Sequence, residues 1–156
     1  MFKDVPMKYE VKRIVSGKKR FLDLLLLGDE QENMIDRYLE RGELFALYDG
    51  NLKAVGVVTD EGNGVFELKN IAVYPEYQRK GYGKNLIEYL FERYRIRGRY
   101  MLVGTGEVPA TLGFYQECGF VFSHRVPRFF TDYYDHPIWE DGVQLVDMVY
   151  LKRVYK

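Results

Sequence analysis

The sequence is poor in cysteine, has no long apolar run and carries no excess of charge of either sign. Its single cysteine, Cys118, cannot form an internal disulfide, which is typical of proteins from a reducing compartment. The leucine run at residues 24–27 is far too short to cross a bilayer. Lysine and arginine together number 23, as do aspartate and glutamate, so the overall charge indicates neither a nucleic acid nor a membrane partner.

Further absences bear on location and metal content. Residues 1–4 lack the apolar segment of a secretory signal, so we expect a cytoplasmic protein. His124 and His136 lack metal-ligand spacing with any acid or with the cysteine, so we expect no metal. The chain has 156 residues, about the length of one ordinary domain, and a single domain over residues 1–156 is therefore expected.

Apolar periodicity predicts a chain that mixes strands and helices. Strands are predicted at residues 9–14, 43–48, 53–59, 65–73, 100–105, 120–124 and 143–151, and helices after residues 16, 29, 81 and 109. Ser16 is expected to cap the first helix and Asp29 the second, and the helix from Gly81 is expected to end near Gly98. This order of elements predicts an α/β or α+β domain with a mixed sheet.

The segment at residues 70–84 carries the strongest functional signal, because an apolar strand runs through a basic loop into an amphipathic helix. The first N–H groups of a helix lack intrahelical partners, and the helix dipole adds positive charge there. Gly81 and Gly83 allow a diphosphate to approach the backbone, and Arg79, Lys80 and Lys84 add positive charge around it. The segment therefore predicts an anion site.

Two common phosphate motifs do not match this segment. A P-loop requires glycine where Gln78 stands and serine or threonine where Asn85 stands. A dinucleotide fingerprint requires a third glycine where Leu86 stands, and the other candidate, at residues 104–106, has Pro109 at its third position. Both of these classes of nucleotide site are excluded.

The pattern that remains, Gln78-x-x-Gly81-x-Gly83 after an apolar strand, closely resembles the acetyl-CoA signature of the GNAT superfamily of N-acetyltransferases. A second segment, at residues 114–120, resembles the FYxxxGF motif of the same superfamily. With the order of elements, the resemblance covers roughly residues 8–151. Residues 104–120, 134–142 and 147–151 also resemble a bacterial subgroup of small GNAT proteins.

This resemblance implies a GNAT fold, in which a central mixed, mostly antiparallel sheet of about seven strands is flanked by about four helices. It also implies an acyltransferase that uses acetyl-CoA as co-substrate, by direct transfer in a ternary complex. Tyr115 would protonate the departing thiolate, and Glu67, directly or through water, would accept the amine proton. The predicted cofactor-binding residues are Ile71, Ala72 and Val73 for the pantetheine and Gln78, Arg79, Lys80, Gly81, Tyr82, Gly83 and Lys84 for the pyrophosphate.

Structural roles are the alternatives for these residues. Glu67 could be a solvated strand residue near Lys69, and Tyr115 could pack on the sheet. Cys118 is less favoured as a nucleophile than as a small buried residue at a helix end, since neither histidine adjoins it in sequence. The asparagine that many GNAT proteins carry before the tyrosine is missing at residues 106–109, which puts that pantetheine contact in doubt.

The expected acceptor is a primary amine, either a small cationic amine or a peptide N-terminus. Carboxylates among aromatic rings suit such a cation, and the candidates are Glu30, Tyr133, Tyr134 and Asp135. Asp29 is favoured as a helix cap over a ligand, and the segment 127–142 could instead form a homodimer surface. A non-catalytic CoA-binding or protein-interaction module of the same fold is the alternative function.

Overall fold

The computed structural model describes residues 8–156, and the prediction about residues 1–4 lies outside them. The strands are β1 (Glu10–Ile14), β2 (Glu43–Asp49), β3 (Asn51–Asp60), β4 (Val65–Val73), β5 (Tyr100–Gly106), β6 (Val121–Val126), β7 (Trp139–Glu140), β8 (Val143–Gln144) and β9 (Met148–Val154). The helices are α1 (Leu22–Gly28), α2 (Glu32–Ile35), α3 (Tyr82–Arg93), α4 (Pro109–Glu117) and α5 (Phe129–Tyr133), with 3-10 turns at Lys18–Phe21 and Pro75–Tyr77. In the described residues, no helix is both long and apolar enough to cross a membrane.

Seven strands form one sheet in the order β1-β2-β3-β4-β5-β9-β6. Only β4 and β5 run parallel, and every other neighbouring pair is antiparallel. The expected mixed, mostly antiparallel sheet is confirmed, and residues 8–156 contain five α-helices where about four were expected. The short strands β7 and β8 form a separate hairpin.

Apolar side chains cover both faces of this sheet. Successive residues of β2 point to opposite faces, so Phe45 packs with Leu86 and Leu90 of α3, whereas Leu44 packs with Leu24 of α1. Burial of apolar surface stabilises the fold by about 25 cal/mol per Å². This burial on both faces holds the helices against the sheet.

The parallel pair separates halfway along its length. Val65–Leu68 of β4 pairs with 100–103 of β5, and no pairing continues beyond Leu68. At that point the β3 register moves from Leu68 to Asn70, so Lys69 is an extra residue that forms a β-bulge. A bulge bends its strand and interrupts pairing. The C-terminal halves of β4 and β5 therefore diverge and leave a wedge between them.

Two predicted helix caps are wrong. Ser16 caps no helix, because Gly17, with φ of 65°, precedes the first 3-10 turn, and no side chain caps it. Asp29 is not the cap of α2 either, since Gln31 holds that position without a side-chain hydrogen bond. The helix that follows Gly81 ends at Arg93, earlier than the glycine at 98 suggested.

The last strand also begins later than predicted. Val143 and Gln144 pair with Trp139 and Glu140 instead of joining β9. The physical reason is a two-residue turn at Asp141 and Gly142, whose φ angles of 51° and 75° are those of a tight hairpin. The main sheet is rejoined only at Met148.

Candidate active site

The loop between β4 and α3 is the predicted anion cradle. Gly81, with φ of 92° and ψ of 0°, precedes α3 in the left-handed region and has no side chain that could cap the first N–H groups. Arg79, with φ of 64°, adopts the same region two residues earlier. The first turn of α3 carries no acidic residue. Backbone donors and the helix dipole are thus available to a diphosphate group.

Three of the predicted phosphate ligands have free charged groups. Arg79, Lys80 and Lys84 are exposed, and in the part of the chain that the structure describes no carboxylate lies within 4.0 Å of them. Gln78 differs, because its side-chain amide donates to the Val73 carbonyl at 3.1 Å and its N–H donates to Pro75 at 3.3 Å. Gln78 therefore holds the loop against the end of β4.

Tyr82 contributes only its backbone to this cradle. Its ring is buried in the core, and its hydroxyl donates to Asp49 at 2.7 Å. The helix surface at Gly83 has room for a Cβ atom. A Cβ there would lie 3.4 Å from the Val73 side chain and 3.5 Å from the Phe114 ring, which are ordinary contacts.

Of the three residues 71–73 on β4, only two turn their backbone N–H and C=O groups to the free edge of the strand. The N–H of Tyr74 donates to a β3 carbonyl, which sets the phase of the antiparallel ladder. In this phase Ala72 pairs its N–H and C=O with β3, and Ile71 and Val73 turn theirs to the opposite edge. The prediction that the Ala72 backbone meets the pantetheine is therefore corrected.

A cavity of about 440 Å³ occupies the wedge between β4 and β5, and we call it the wedge cavity. Its walls include Ile71 of β4, Thr105 of β5 and Tyr115 of α4. Tyr115 is buried, and its hydroxyl finds no hydrogen-bond partner among residues 8–156. Burial raises the pKa of the Tyr115 phenol, so it keeps its proton at neutral pH.

A second cavity of about 250 Å³, the side cavity, contains Glu67. This carboxylate is buried, 3.2 Å from the ammonium of Lys69, and it accepts a hydrogen bond from the Tyr150 hydroxyl at 3.2 Å. Tyr115 does not line this cavity, and Glu67 does not line the wedge cavity. The two cavities share walls, including Asp29, Lys69 and Tyr134.

A hydrogen-bonded chain that the sequence reasoning missed crosses the shared wall. Asp29 accepts bonds from Tyr38 at 2.9 Å and Tyr134 at 2.6 Å, and Asn70 donates to Tyr38 at 3.1 Å and to the Leu25 carbonyl at 3.0 Å. Burial raises the pKa of the Asp29 carboxyl. No local pattern around residue 29 signals this network, because its members come from four distant parts of the chain.

Gly28 lets α1 approach β4 closely enough for this network to form. A Cβ at Gly28 would lie 2.2 Å from the Asn70 side-chain oxygen and 3.1 Å from the Ile71 carbonyl. Because backbone cannot yield cheaply, only glycine allows this approach.

The predicted acceptor residues divide into two groups. Glu30 lines the wedge cavity and Tyr134 lines both cavities, but Tyr133 and Asp135 line neither. The Asp135 N–H donates to Gln31 at 2.9 Å, and its exposed carboxylate contacts a histidine instead. The structure thus places Asp135 outside both cavities, and Tyr133 contacts the side cavity through the Arg37 guanidinium that covers its ring.

Cys118 lies at the end of α4 and lines neither cavity. Burial raises the pKa of its thiol, which disfavours the thiolate that a nucleophile requires.

Comparison with known proteins identifies the fold and its family. The acetyltransferase (GNAT) family model matches residues 14–120. A Bacillus subtilis protein described as the uncharacterized N-acetyltransferase YvbK is 39% identical over 132 residues, which is 83% of this chain and 85% of the relative.

Two solved structures resemble the whole arrangement. A GNAT family acetyltransferase from Elizabethkingia anophelis with acetyl-CoA bound has a TM-score of 0.88 and 31% identity, over 94% of this chain and 97% of the other. A Bacillus subtilis acetyltransferase in complex with CoA has a TM-score of 0.88 and 34% identity, over 96% and 100%. The family model and these relatives show that the chain belongs to the GNAT family of acetyltransferases and is an acyltransferase.

Proposed function

We propose that this enzyme transfers the acetyl group of acetyl-CoA to a primary amine, directly and within a ternary complex. The observation that carries the proposal is the arrangement of β4: its edge beyond Leu68 is not paired with β5, Ile71 on it lines the wedge cavity with Tyr115, and the strand leads into the loop that opens α3. The solved relatives that hold acetyl-CoA and CoA support the identity of the donor.

The chain's own groups suit each part of such a donor. Backbone N–H groups at 81–84, with the cations Arg79, Lys80 and Lys84, would bind the pyrophosphate. The outward N–H and C=O groups of Ile71 and the N–H of Val73 would bond the amide groups of the pantetheine arm as an added strand does, while the Val73 carbonyl accepts the Gln78 side chain. Gln78 positions the loop and leaves the diphosphate to its neighbours.

The proposed chemistry balances with one base and one acid. Glu67, directly or through water, accepts a proton from the acceptor ammonium, and the free amine forms a C–N bond with the acetyl carbon. The C–S bond breaks, and the Tyr115 hydroxyl donates its proton to the leaving sulfur. The location of Glu67 behind a shared wall, in the side cavity, supports a water relay over direct contact.

The acceptor is proposed to be small and amine-bearing, in the range from a free amine to a peptide N-terminus. Glu30 and Tyr134 support recognition of its cationic end, since a carboxylate and a ring both favour an ammonium. We place the enzyme in a bacterial cytoplasm, which agrees with its lone buried thiol. A homodimer through residues 127–142 stays a prediction.

A panel of primary amines tests this function. The purified protein is incubated with acetyl-CoA and each amine, thiol release is recorded, and mass spectrometry identifies the acetylated product. We expect Tyr115→Phe to lower kcat by about 10²–10⁴-fold, the usual contribution of a positioned acid, without changing acetyl-CoA affinity. If the protein binds acetyl-CoA but releases no thiol with any amine, the proposed transfer is wrong. If the native protein does not bind acetyl-CoA, the proposed donor is wrong.

A further inference from the structure

The side cavity contains two opposite charges that have no counter-charge. Asp29 and Arg37 both line it, and in the described part of the chain neither lies within 4.0 Å of an oppositely charged group. They are also not paired with each other. The other charged groups of the cavity are already matched, since Lys69 lies 3.2 Å from Glu67, and Arg41 lies 3.1 Å from a glutamate outside the cavity.

Asp29 is a half-buried carboxylate held only by neutral donors. Two tyrosine hydroxyls, from Tyr38 and Tyr134, donate to one oxygen each, and the backbone N–H of Gln31 also donates to the carboxylate. A carboxylate removed from water without a cation destabilises the fold, and burial accordingly raises its pKa. An ammonium group in the cavity would supply the missing charge and has room on the remaining lone pairs.

Arg37 is a guanidinium held in position by non-ionic contacts. It lies over the Tyr133 ring at 5.1 Å, and one of its N–H groups donates to the Met34 sulfur at 3.5 Å. These contacts leave several donors of the planar fork unused. Such a fork matches a carboxylate in a bidentate arrangement, which a lysine at this place would not offer.

We propose that the acceptor is a small amino acid zwitterion, with its ammonium on Asp29 and its carboxylate on Arg37. The cavity volume of about 250 Å³ falls below the range of drug-sized sites, about 300–1,000 Å³, and suits one amino acid better than a peptide. Apolar walls from Phe129 and Met148 favour an uncharged, apolar side chain. This assignment rests on the proposed transfer to an amine and narrows its acceptor.

Binding measured without turnover tests this assignment separately from the reaction. The protein is saturated with CoA, which carries no acetyl group, and titrated calorimetrically with phenylalanine, phenylalaninamide and phenethylamine. The same series is made for leucine and methionine. We expect each amino acid to bind at least about tenfold more tightly than its amide or its decarboxylated amine, because one charged hydrogen-bonded contact is absent from the latter two.

Variants of the two charged residues identify the contacts. Arg37→Met should remove the preference for the amino acid and leave the affinity for the amide unchanged, and Arg37→Lys should restore it in part. Asp29→Asn should weaken all three ligands of a series alike, by about tenfold. Arg41→Met is the matched control, since Arg41 lies in the same cavity wall but is already paired, and it should keep the preference.

The outcomes separate this inference from the proposed function. Equal binding of amino acid and amide, or a uniform loss with Arg37→Met, overturns the zwitterion site even if amines are acetylated. A carboxylate preference that depends on Arg37 supports the site even if no acetylated product forms, in which case the proposed transfer fails instead. Tighter binding of dipeptides than of free amino acids would also overturn the zwitterion site, and it would favour a peptide N-terminus as the acceptor.

Discussion

At the scale of single residues, Asp29 has a larger role than its position in a short loop suggests. It receives two tyrosine hydroxyls, lines both cavities and closes a chain of hydrogen bonds that starts at Asn70 in β4. Such a carboxylate is costly to bury in its charged form. We infer that it is retained for ligand binding and not for stability.

This cost gives a prediction about pH. Burial raises the pKa of Asp29 in the folded protein above its ordinary value of 3.8, so its contribution to stability is full below pH 3.8 and is lost as the pH rises through the folded pKa. Asp29→Asn stays neutral at every pH. Melting temperatures should therefore be equal for variant and native protein near pH 3.8, and higher for the variant at pH 7.

The exposed acid Glu40 provides the control, because its side chain lacks any hydrogen bond or ion pair within the described residues. The difference in melting temperature between Glu40→Gln and the native protein should not grow as the pH rises. A lower melting temperature of Asp29→Asn at pH 7 would show that the carboxylate stabilises the fold, contrary to this account.

At the scale of elements, the β4–loop–α3 unit brings together three features of the site. The bulge at Lys69 opens the edge of β4, the phase of the β3 ladder turns Ile71 and Val73 outward, and the left-handed Gly81 starts α3 with uncapped N–H groups. The conformation of Gly81 is local to the unit, whereas the bulge and the phase are set by pairing with β3.

Gly83→Ala tests the anion cradle without disturbing the fold. A Cβ at Gly83 meets only ordinary contacts, and alanine is favoured over glycine in a helix by about 1 kcal/mol, so the variant should be as stable as the native protein or more stable. The same Cβ would separate a diphosphate from the backbone of α3. We expect acetyl-CoA affinity, measured by calorimetry, to fall about tenfold or more, the loss of one charge-assisted hydrogen bond.

Gly113→Ala is the matched control for this substitution. Gly113 is also helical, in α4, and its Cβ would meet no atom within 4 Å. The Gly113→Ala variant should gain a similar free energy of unfolding and should bind acetyl-CoA as tightly as the native protein. If Gly83→Ala binds acetyl-CoA as tightly as this control, the pyrophosphate does not lie on the start of α3.

At the scale of the whole molecule, the two core layers share one sheet. Strand β2 sends Phe45 and Leu47 into the layer under α3, and it sends Leu44 and Ala46 into the layer under α1. Because both layers pack on the same sheet, unfolding of one layer would expose the sheet face that the other layer needs for its own packing. We therefore propose that the chain folds as a single cooperative domain.

Calorimetry tests this cooperativity. We expect one transition whose calorimetric enthalpy equals its van't Hoff enthalpy. Acetyl-CoA at 100 times its Kd should raise the free energy of unfolding by about 2.7 kcal/mol and shift the whole transition. Two separate transitions, or a shift confined to part of the signal, would contradict a single domain.

The sequence by itself predicted the sheet, most of the order of its elements and the basic, glycine-bearing loop that opens α3. These features depend on neighbours in the chain: apolar alternation within β4, glycines at 81 and 83, and helical spacing after Gly81. The resemblance at residues 114–120 also pointed to Tyr115, which the structure brings to the wedge cavity.

Tertiary structure alone decided which residues meet in the two cavities. Ser16 and Asp29 looked like caps because cap residues are recognised by local position, yet the two hydroxyls that bind Asp29 are 9 and 105 residues away. Likewise, only the phase of the β3 ladder removes Ala72 from the free edge. Cavities arise where distant segments meet, and a charge without a partner is visible only after every neighbour has been placed.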